Sequence, residues 1–106
     1  MHARVATFDY TGSDPEDVRR GFEEIKRRAA AGFTDELPAL ELLDLYNPND
    51  AAVLSITLFE TEEDLRKGDA TLSSMAPPKS GAVGRRVSVQ MYEVPVKIDG
   101  SVSTAG

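Results

Sequence analysis

Residues 53–78 read VLSITLFETEEDLRKGDATLSSMAPP, and this stretch decides the fold. Residues 53–59 are rich in apolar and β-branched side chains and predict a strand. Thr61 follows at once and is suited to cap a helix, because its side-chain oxygen can accept the backbone N–H of residue 64. The next three residues are acidic, which suits the positive end of a helix dipole. We therefore predict a strand that passes directly into a helix over residues 61–75.

A second strand–helix pair precedes this stretch. Residues 4–10 predict a strand, and Ser13 and Asp14 are two candidate N-caps before a proline suited to the first helical position. The helix predicted over residues 14–31 has one apolar stripe at spacings of four, three and four, formed by Val18, Phe22, Ile25 and Ala29.

The remaining segments complete a six-element pattern. Residues 39–46 and 51–59 predict two strands, and the Asn-Pro-Asn-Asp sequence between them predicts the turn of an antiparallel hairpin. A last strand over residues 85–94 follows a Pro- and Gly-rich loop, residues 76–84, which we expect to be mobile. The order strand, helix, strand, strand, helix, strand predicts an α+β, ferredoxin-like βαββαβ subunit, with two helices on one face of a four-stranded antiparallel sheet.

We predict one domain over residues 1–98 and a flexible tail over residues 99–106. One face of the third strand is fully apolar (Ala52, Leu54, Ile56 and Leu58) and is interpreted as the face that packs against the helices. The other face is semi-polar and suits a cavity or a second copy of the chain (Val53, Ser55, Thr57 and Phe59). Because a two-helix subunit leaves one sheet face bare, we expect a homodimer. The segment after Pro95 either extends the last strand as an edge or crosses to the partner.

Composition excludes several classes of function. The 106-residue chain has no cysteine, which excludes disulfides, thiolate nucleophiles, iron–sulfur clusters and thiolate zinc sites. Its net charge of −6 argues against nonspecific binding to nucleic acid, which depends on Lys and Arg at the phosphates. No apolar run approaches the roughly 20 residues of a membrane span, and the N-terminus lacks a secretory pattern. We expect a cytoplasmic protein with neither a nucleic-acid nor a membrane partner, and no motif predicts a metal site.

Several segments resemble the antibiotic-biosynthesis-monooxygenase-type domains of the dimeric α/β-barrel superfamily. The resemblance lies in the strand end 58–60, the helix opening 61–65, its continuation 69–77 and the last strand 86–94, and it covers about residues 3–98. It implies subunits of the predicted fold that pair as a dimeric α/β barrel. Its motifs are packing and capping motifs, so they specify a fold more than an activity.

The resemblance implies an oxygenase that needs no cofactor. The family includes cofactor-independent oxygenases of aromatic, polyketide-type anthrones, haem-degrading oxygenases and small-molecule isomerases. The haem-degrading branch uses a histidine on the second helix and a nearby tryptophan, whereas this chain has no tryptophan and its one histidine is His2. The anthrone-oxygenase branch is associated with an Asn, a Trp, a Tyr and an Arg around a hydrophobic cavity. Of these types the chain has Asn47, Tyr46, Tyr92 and Arg86, but no tryptophan.

Arg86 and Tyr92 are the predicted catalytic residues. Arg86 would stabilise an enolate or phenolate in a dry pocket; its alternative is a solvated strand end or a rim salt bridge. Being six positions apart on one strand, the two are predicted to point to the same face, roughly 20 Å apart at about 3.3 Å per residue. They therefore cannot hold one substrate atom together. We place Arg86 beside the 76–84 loop and Tyr92 deeper, as a wall residue.

Four further residues are predicted to bind a small apolar or aromatic substrate: Tyr10, Tyr46, Asn47 and Phe59. Each tyrosine has the alternative of a buried ring with an exposed hydroxyl, and Asn47 is also explained as the start of the hairpin turn. Asp9 and Asp44 lie in predicted strands, where Asp is disfavoured. A base, an interface ion pair or a strand end explains such a residue, and we favour the last two.

Two functions of different class stay open. The first is a cofactor-independent oxygenase or related enzyme with an aromatic substrate between sheet and helices. The second is a non-catalytic ligand-binding or structural dimer of the same fold. A cavity lined by Tyr and Arg favours the enzyme, whereas a filled core favours the second function.

Overall fold

Six elements appear in the predicted order in the computed structural model, which describes residues 1–75 and 84–100. They are β1 (His2–Asp9), α1 (Pro15–Arg28), β2 (Glu41–Asn47), β3 (Ala52–Phe59), α2 (Glu62–Ser74) and β4 (Arg85–Glu93). The expectation of a mobile loop falls on residues 76–83, and that of a flexible tail mainly on residues 101–106, so both lie outside the described residues.

Both helices begin at predicted N-caps. The Asp14 carboxylate accepts the backbone N–H of Glu16 at 2.8 Å, and Pro15 is the first helical residue, so Asp14 rather than Ser13 is the cap. The Thr61 hydroxyl accepts the backbone N–H of Asp64 at 3.1 Å. The first helix ends three residues earlier than predicted, since its C-cap is already Ala29.

The sheet is antiparallel throughout and has the strand order β2-β3-β1-β4. The hairpin prediction is confirmed, because β2 pairs with β3 from Glu41 opposite Leu58 to Asn47 opposite Ala52. The central strands β1 and β3 pair over their whole length, and α2 lies directly on both of them. This arrangement is the predicted ferredoxin-like βαββαβ subunit.

The prediction of which sheet face meets the helices is wrong. Phe59, on the semi-polar face, is fully buried, and its ring lies against Gly68 of α2. Leu54, on the fully apolar face, is 39% exposed. Gly68 of α2 has no side chain at the contact, which leaves room for the Phe59 ring. The smaller residues Val53 and Ser55 of the same face line a cavity. The helix-free face is therefore the more apolar one and carries exposed leucines at 43, 45 and 54.

A β-bulge interrupts the pairing of β1 with β4. Thr7 pairs with Ser88 but Phe8 pairs with Arg86, so Val87 is an extra residue in β4. Side chains on either side of an extra residue change face relative to simple alternation. Arg86 therefore points to the helix side with Phe8, whereas Tyr92, opposite Ala3, points to the helix-free side. The prediction that Arg86 and Tyr92 share a face is wrong for this reason.

The segment after β4 turns back across the sheet end. The backbone N–H of Val94 donates to the carbonyl of Met1 at 2.9 Å, and the Lys97 ammonium lies 3.5 Å from the Glu41 carboxylate. Residues 96–98 form no strand, so they do not extend β4 as an edge within this chain. The side chains of Val96 and Ile98 are 70% and 83% exposed.

Candidate functional site

A cavity of about 700 Å³ lies between α1 and the helix side of the sheet. It exists because α2 packs closely on β1 and β3, while α1 reaches the sheet only through its side chains. Val18 and Gly21 are the buried residues of α1, and the glycine leaves part of that wall without a side chain. Rings form much of the remaining wall, among them Phe8, Phe22 and Phe33. The residues present thus form an open chamber rather than a filled core.

Three polar side chains reach the cavity from three different strands. Tyr10 directly follows β1, Asp44 lies in the middle of β2, and Arg86 is the second residue of β4. The wall also holds other polar groups, among them Arg4, Arg28 and Glu36, between mostly apolar residues, and such groups define where a ligand could form directed bonds. The structure thus brings together two of the sequence-predicted residues, Tyr10 and Arg86, and adds Asp44 to them.

Tyr10 lies in an unusually close packing position. Its ring covers the backbone of Gly84, where an added Cβ would overlap three ring carbons, and its centroid lies 6.5 Å from that of Phe8. Burial raises the pKa of the Tyr10 phenol above its ordinary value of 10.0, and the nearby charge of Asp44 raises it further. The phenol therefore stays protonated at neutral pH and can donate a hydrogen bond into the cavity.

Asp44 is a partly buried carboxyl group without a cationic partner in the described part of the chain. Burial raises its pKa above the ordinary 3.8, and a hydrogen bond from the Ser55 hydroxyl opposes that shift. Ser55 is its direct cross-strand neighbour. Asp44 lies in the middle of β2, so its interpretation as a strand end is wrong, whereas an ion pair with a second subunit stays a prediction. Asp9, by contrast, does end β1, where its carboxylate accepts the backbone N–H of Thr11 at 2.9 Å.

A buried arginine that lines the cavity forms an ion pair with a partly exposed aspartate of α2. Arg4 of β1 is 4% exposed, and its Nε donates to the Asp69 carboxylate of α2 at 2.8 Å. The Ser73 hydroxyl lies 3.5 Å from the same guanidinium. Because a buried charge requires a partner, this pair fixes the position of α2 on the sheet.

The other predicted site residues lie outside the cavity lining. Tyr46 is stacked beside α1, with its ring centroid 5.6 Å from Phe22 and 5.7 Å from the Arg19 guanidinium carbon. The Asn47 side chain is exposed and holds the hairpin turn, accepting the backbone N–H of Asn49 at 3.1 Å and donating to the Asp50 carboxylate at 2.9 Å.

Two predicted residues are separated from the cavity by the fold itself. Phe59 is 0% exposed and fills the contact with Gly68 in the core. Tyr92 lies on the helix-free face, where its hydroxyl donates to Gln90. Neither side chain reaches the chamber that Arg86 and Tyr10 line.

Sequence reasoning did not place Asp44 or Arg4 at the cavity. A sequence signal existed for both, since a charged residue in a strand interior is unusual. Arg4 was interpreted only as the start of a strand, and its partner Asp69 is 65 positions away in the chain. Nothing local to either residue indicates that contact.

Groups of metal-binding side chains are not found in the described part of the chain. The described cavity wall contains neither histidine nor cysteine, and His2 lies outside it, in the same cross-strand row as Phe59. This donor set does not match the histidine ligation of the haem-degrading branch. Within residues 1–75 and 84–100, no helix is long and apolar enough to cross a bilayer.

Comparison with known proteins bears on the fold. No protein-family model matches the chain, and no curated protein is detectably similar in sequence. An Arg-to-Ser variant of MhuD, solved with two manganese protoporphyrin IX molecules bound per active site, aligns with a TM-score of 0.57 at 11% identity. That alignment covers 94% of this chain and 100% of the other.

A Deinococcus radiodurans protein, provisionally named an antibiotic biosynthesis monooxygenase, aligns over 96% of this chain and 100% of its own. Its identity is 12% and its TM-score 0.46, too low to add weight. The likeness to MhuD confirms the predicted resemblance at the level of the fold. Identity this low carries no activity from one protein to the other.

Proposed function

We propose that this chain is a cofactor-independent, monooxygenase-type enzyme that oxidises a small aromatic or polyketide-type substrate. The observation that carries the proposal is the cavity of about 700 Å³, whose size falls in the range typical of small-molecule sites. Its aromatic walls suit a flat, apolar molecule, and Tyr10, Asp44 and Arg86 suit a substrate with an acidic hydrogen and an oxygen atom. A protein of the same fold binds a porphyrin in its active site, which supports a planar ligand.

We assign no porphyrin to this chain. The described part of the cavity wall contains no histidine, so it does not fit haem ligation by that residue. A titration with haemin is a simple independent check, and we expect no stoichiometric Soret shift.

The proposed activity is tested with anthrone in air-saturated buffer, without added cofactor or metal. One anthrone and one dioxygen should give one anthraquinone and one water, at a rate above spontaneous oxidation. Anthraquinone absorbance and dioxygen consumption are measured together. Saturable binding of anthrone without turnover would instead favour the second function, a non-catalytic ligand-binding dimer, for which the same apolar chamber is suited. If the protein neither binds nor oxidises anthrone, anthrone-type molecules are excluded as its substrates.

Replacing Arg86 by Ala is expected to lower turnover of anthrone about 10- to 100-fold, because a guanidinium that stabilises developing negative charge is removed. The matched control is Arg85→Ala. Arg85 is the neighbouring residue, but it points to the other sheet face and pairs with Asp9 at 3.5 Å. Steady-state kinetics on both variants decide the point. Equal loss in the two, or no loss in Arg86→Ala, would remove Arg86 from the site.

We further propose that the active form is a homodimer formed through the helix-free sheet face. Leu43, Leu45 and Leu54 are each 39–47% exposed there, and Leu45 and Leu54 are direct cross-strand neighbours. An apolar sheet face of this kind is unfavourable in water. Val96 and Ile98, in the segment that follows β4, are further exposed apolar residues. A second copy of the same face would cover these residues.

Leu54→Glu is expected to convert the dimer to a monomer, because it places two like charges in an apolar interface. Light scattering should then give the 11.5 kDa mass of one chain, where the parent gives twice that value. Ala30→Glu adds the same charge at an exposed position after α1 and should leave the mass unchanged. A monomeric parent at micromolar concentration would contradict the dimer.

A further inference from the structure

The side chain that the fold explains least is Asp44. It lies at the centre of β2 and lines the cavity, and Ser55 is its hydrogen-bond partner. It forms no ion pair with a Lys or Arg among residues 1–75 and 84–100. Burying a carboxylate without a cation costs stability, and aspartate is a poor strand residue. A group that costs stability in this position is accounted for by what it does to a ligand.

The surroundings of Asp44 suit proton transfer. The raised pKa brings its carboxyl closer to neutral pH, which makes the carboxylate a better general base. Tyr10, whose pKa is also raised, stays a hydrogen-bond donor over the same range. The cavity thus holds one group able to accept a proton and one able to donate a hydrogen bond.

The strand register gives a length to the ligand that could use these groups. Asp44 lies on β2 and Arg86 on β4, three strand spacings away, and Arg86 is in the neighbouring cross-strand row with Phe8, so the two positions are about 16 Å apart at ~4.8 Å per strand and ~3.4 Å per residue. The residues next to Asp44 in its cross-strand row are Ser55 and Ala6, both with small side chains. A flat molecule of two or three fused rings that lies diagonally across the two rows can approach Asp44 at one end and the long Arg86 side chain at the other.

We propose that Asp44 is the proton acceptor of this cavity, taking a proton from an acidic C–H or O–H of a fused-ring aromatic substrate. This inference rests on the proposed function. The substrate C–H or O–H bond breaks, an O–H bond forms on the Asp44 carboxylate, and the electron pair stays on the substrate. The resulting anion is delocalised over the rings, with the Arg86 guanidinium at its far end. Reaction of that anion with dioxygen belongs to the proposed oxidation.

The step can be measured without the oxidation. Under anaerobic conditions in D₂O, removal and return of the C10 proton of anthrone exchanges hydrogen for deuterium, which mass spectrometry detects. The parent protein is expected to accelerate exchange above buffer, and Asp44→Asn should lower the protein-catalysed rate at least 100-fold. Asp50→Asn makes the same change at an exposed turn just after β2 and should leave exchange unchanged.

A second measurement separates this role from a structural one. Between 3.8 and the raised pKa of Asp44, the folded chain holds a proton that the unfolded chain releases, so stability falls as the pH rises through that window. Asp44→Asn should therefore unfold at no lower temperature than the parent at pH 7. In the parent, protonation of Asp44 should lower the exchange rate at acidic pH, and this pH dependence should be absent in Asp44→Asn. The other charged or titratable groups lining the cavity are Arg4, Tyr10, Arg28, Glu36 and Arg86, all of which the variant keeps.

The outcomes are distinct. Parent-like exchange in Asp44→Asn overturns the inference, and so does a large fall in its unfolding temperature, which would assign Asp44 a structural role. Oxidation of anthrone by the parent without deuterium exchange overturns the inference but leaves the proposed function standing. If the parent protein neither catalyses exchange nor oxidises anthrone, both the inference about Asp44 and the proposed function are overturned.

Discussion

Replacing Asp69 by Ala is expected to lower the free energy of unfolding by about 3 kcal/mol, as is typical when one partner of a buried ion pair is removed. The Arg4 side chain is 5% exposed, so its guanidinium would be left in the interior with, among residues 1–75 and 84–100, only the Ser73 hydroxyl at 3.5 Å. The Asp69 side chain is 33% exposed, which places the effect at the lower end of the usual range. Urea denaturation followed by circular dichroism measures the loss.

Glu62→Ala is the matched control on the same helix. It breaks the exposed pair between Glu62 and Arg66, whose atoms are 2.7 Å apart, and should cost only about 0.5 kcal/mol. The double variant Arg4→Met/Asp69→Ala should recover most of the loss, because no charge is then left buried. A loss in Asp69→Ala no greater than that of the control would contradict a structural role for the pair.

The second large effect is expected for Gly68→Ala, which should lower the free energy of unfolding by about 2 kcal/mol. Alanine is the better helix former by about 1 kcal/mol, so helix propensity alone predicts a gain. At this position, however, the new Cβ would overlap two ring carbons of Phe59 and lie 3.3 Å from a third. Phe59 is fully buried and has no space to move into, so overpacking outweighs the propensity.

Two further variants check this explanation by the same denaturation measurement. Ala70→Gly, at an exposed position of the same helix, should lower the free energy of unfolding by about 1 kcal/mol. This variant measures the difference in helix propensity between alanine and glycine without a change in core packing. In a Phe59→Leu background, the smaller side chain should make Gly68→Ala much less damaging. A stabilised Gly68→Ala protein would show that the ring can give way.

The parts of the fold that depend on neighbouring residues were predictable from the sequence. Asp14 and Thr61 cap their helices because each capping bond spans two or three residues, and the hairpin turn is equally local. The order of these local elements leaves few arrangements, of which the ferredoxin-like sheet is one. Arg86 and Tyr10 at the cavity followed from their positions at strand ends next to the predicted chamber.

The features that depend on distant residues were not predictable. The helix-packed face follows from the fit of Phe59 against Gly68, and side-chain polarity alone pointed to the opposite face. The prediction that Tyr92 shares a face with Arg86 is wrong because of the bulge, and an extra residue in β4 is visible only from its pairing with β1. Asp44 was noticed as an unusual strand residue, but the ring-lined chamber that surrounds it is built from several separate elements.

The extra residue Val87 shifts the alternation of side chains along β4 by one position. The side chains at positions 86, 89 and 91 lie on the helix side of the sheet, where Arg86 lines the cavity, while those at 85, 88, 90 and 92 lie on the helix-free side. Without this extra residue, Arg86 and Tyr92 would lie on the same face of the sheet, and a substitution at either position would change that one face. With it, Arg86 and Tyr92 lie on opposite faces of one edge strand, and the two side chains can vary separately. Mutational drift that reshapes the chamber's specificity can thus proceed along β4 without altering what the outer surface presents to a partner.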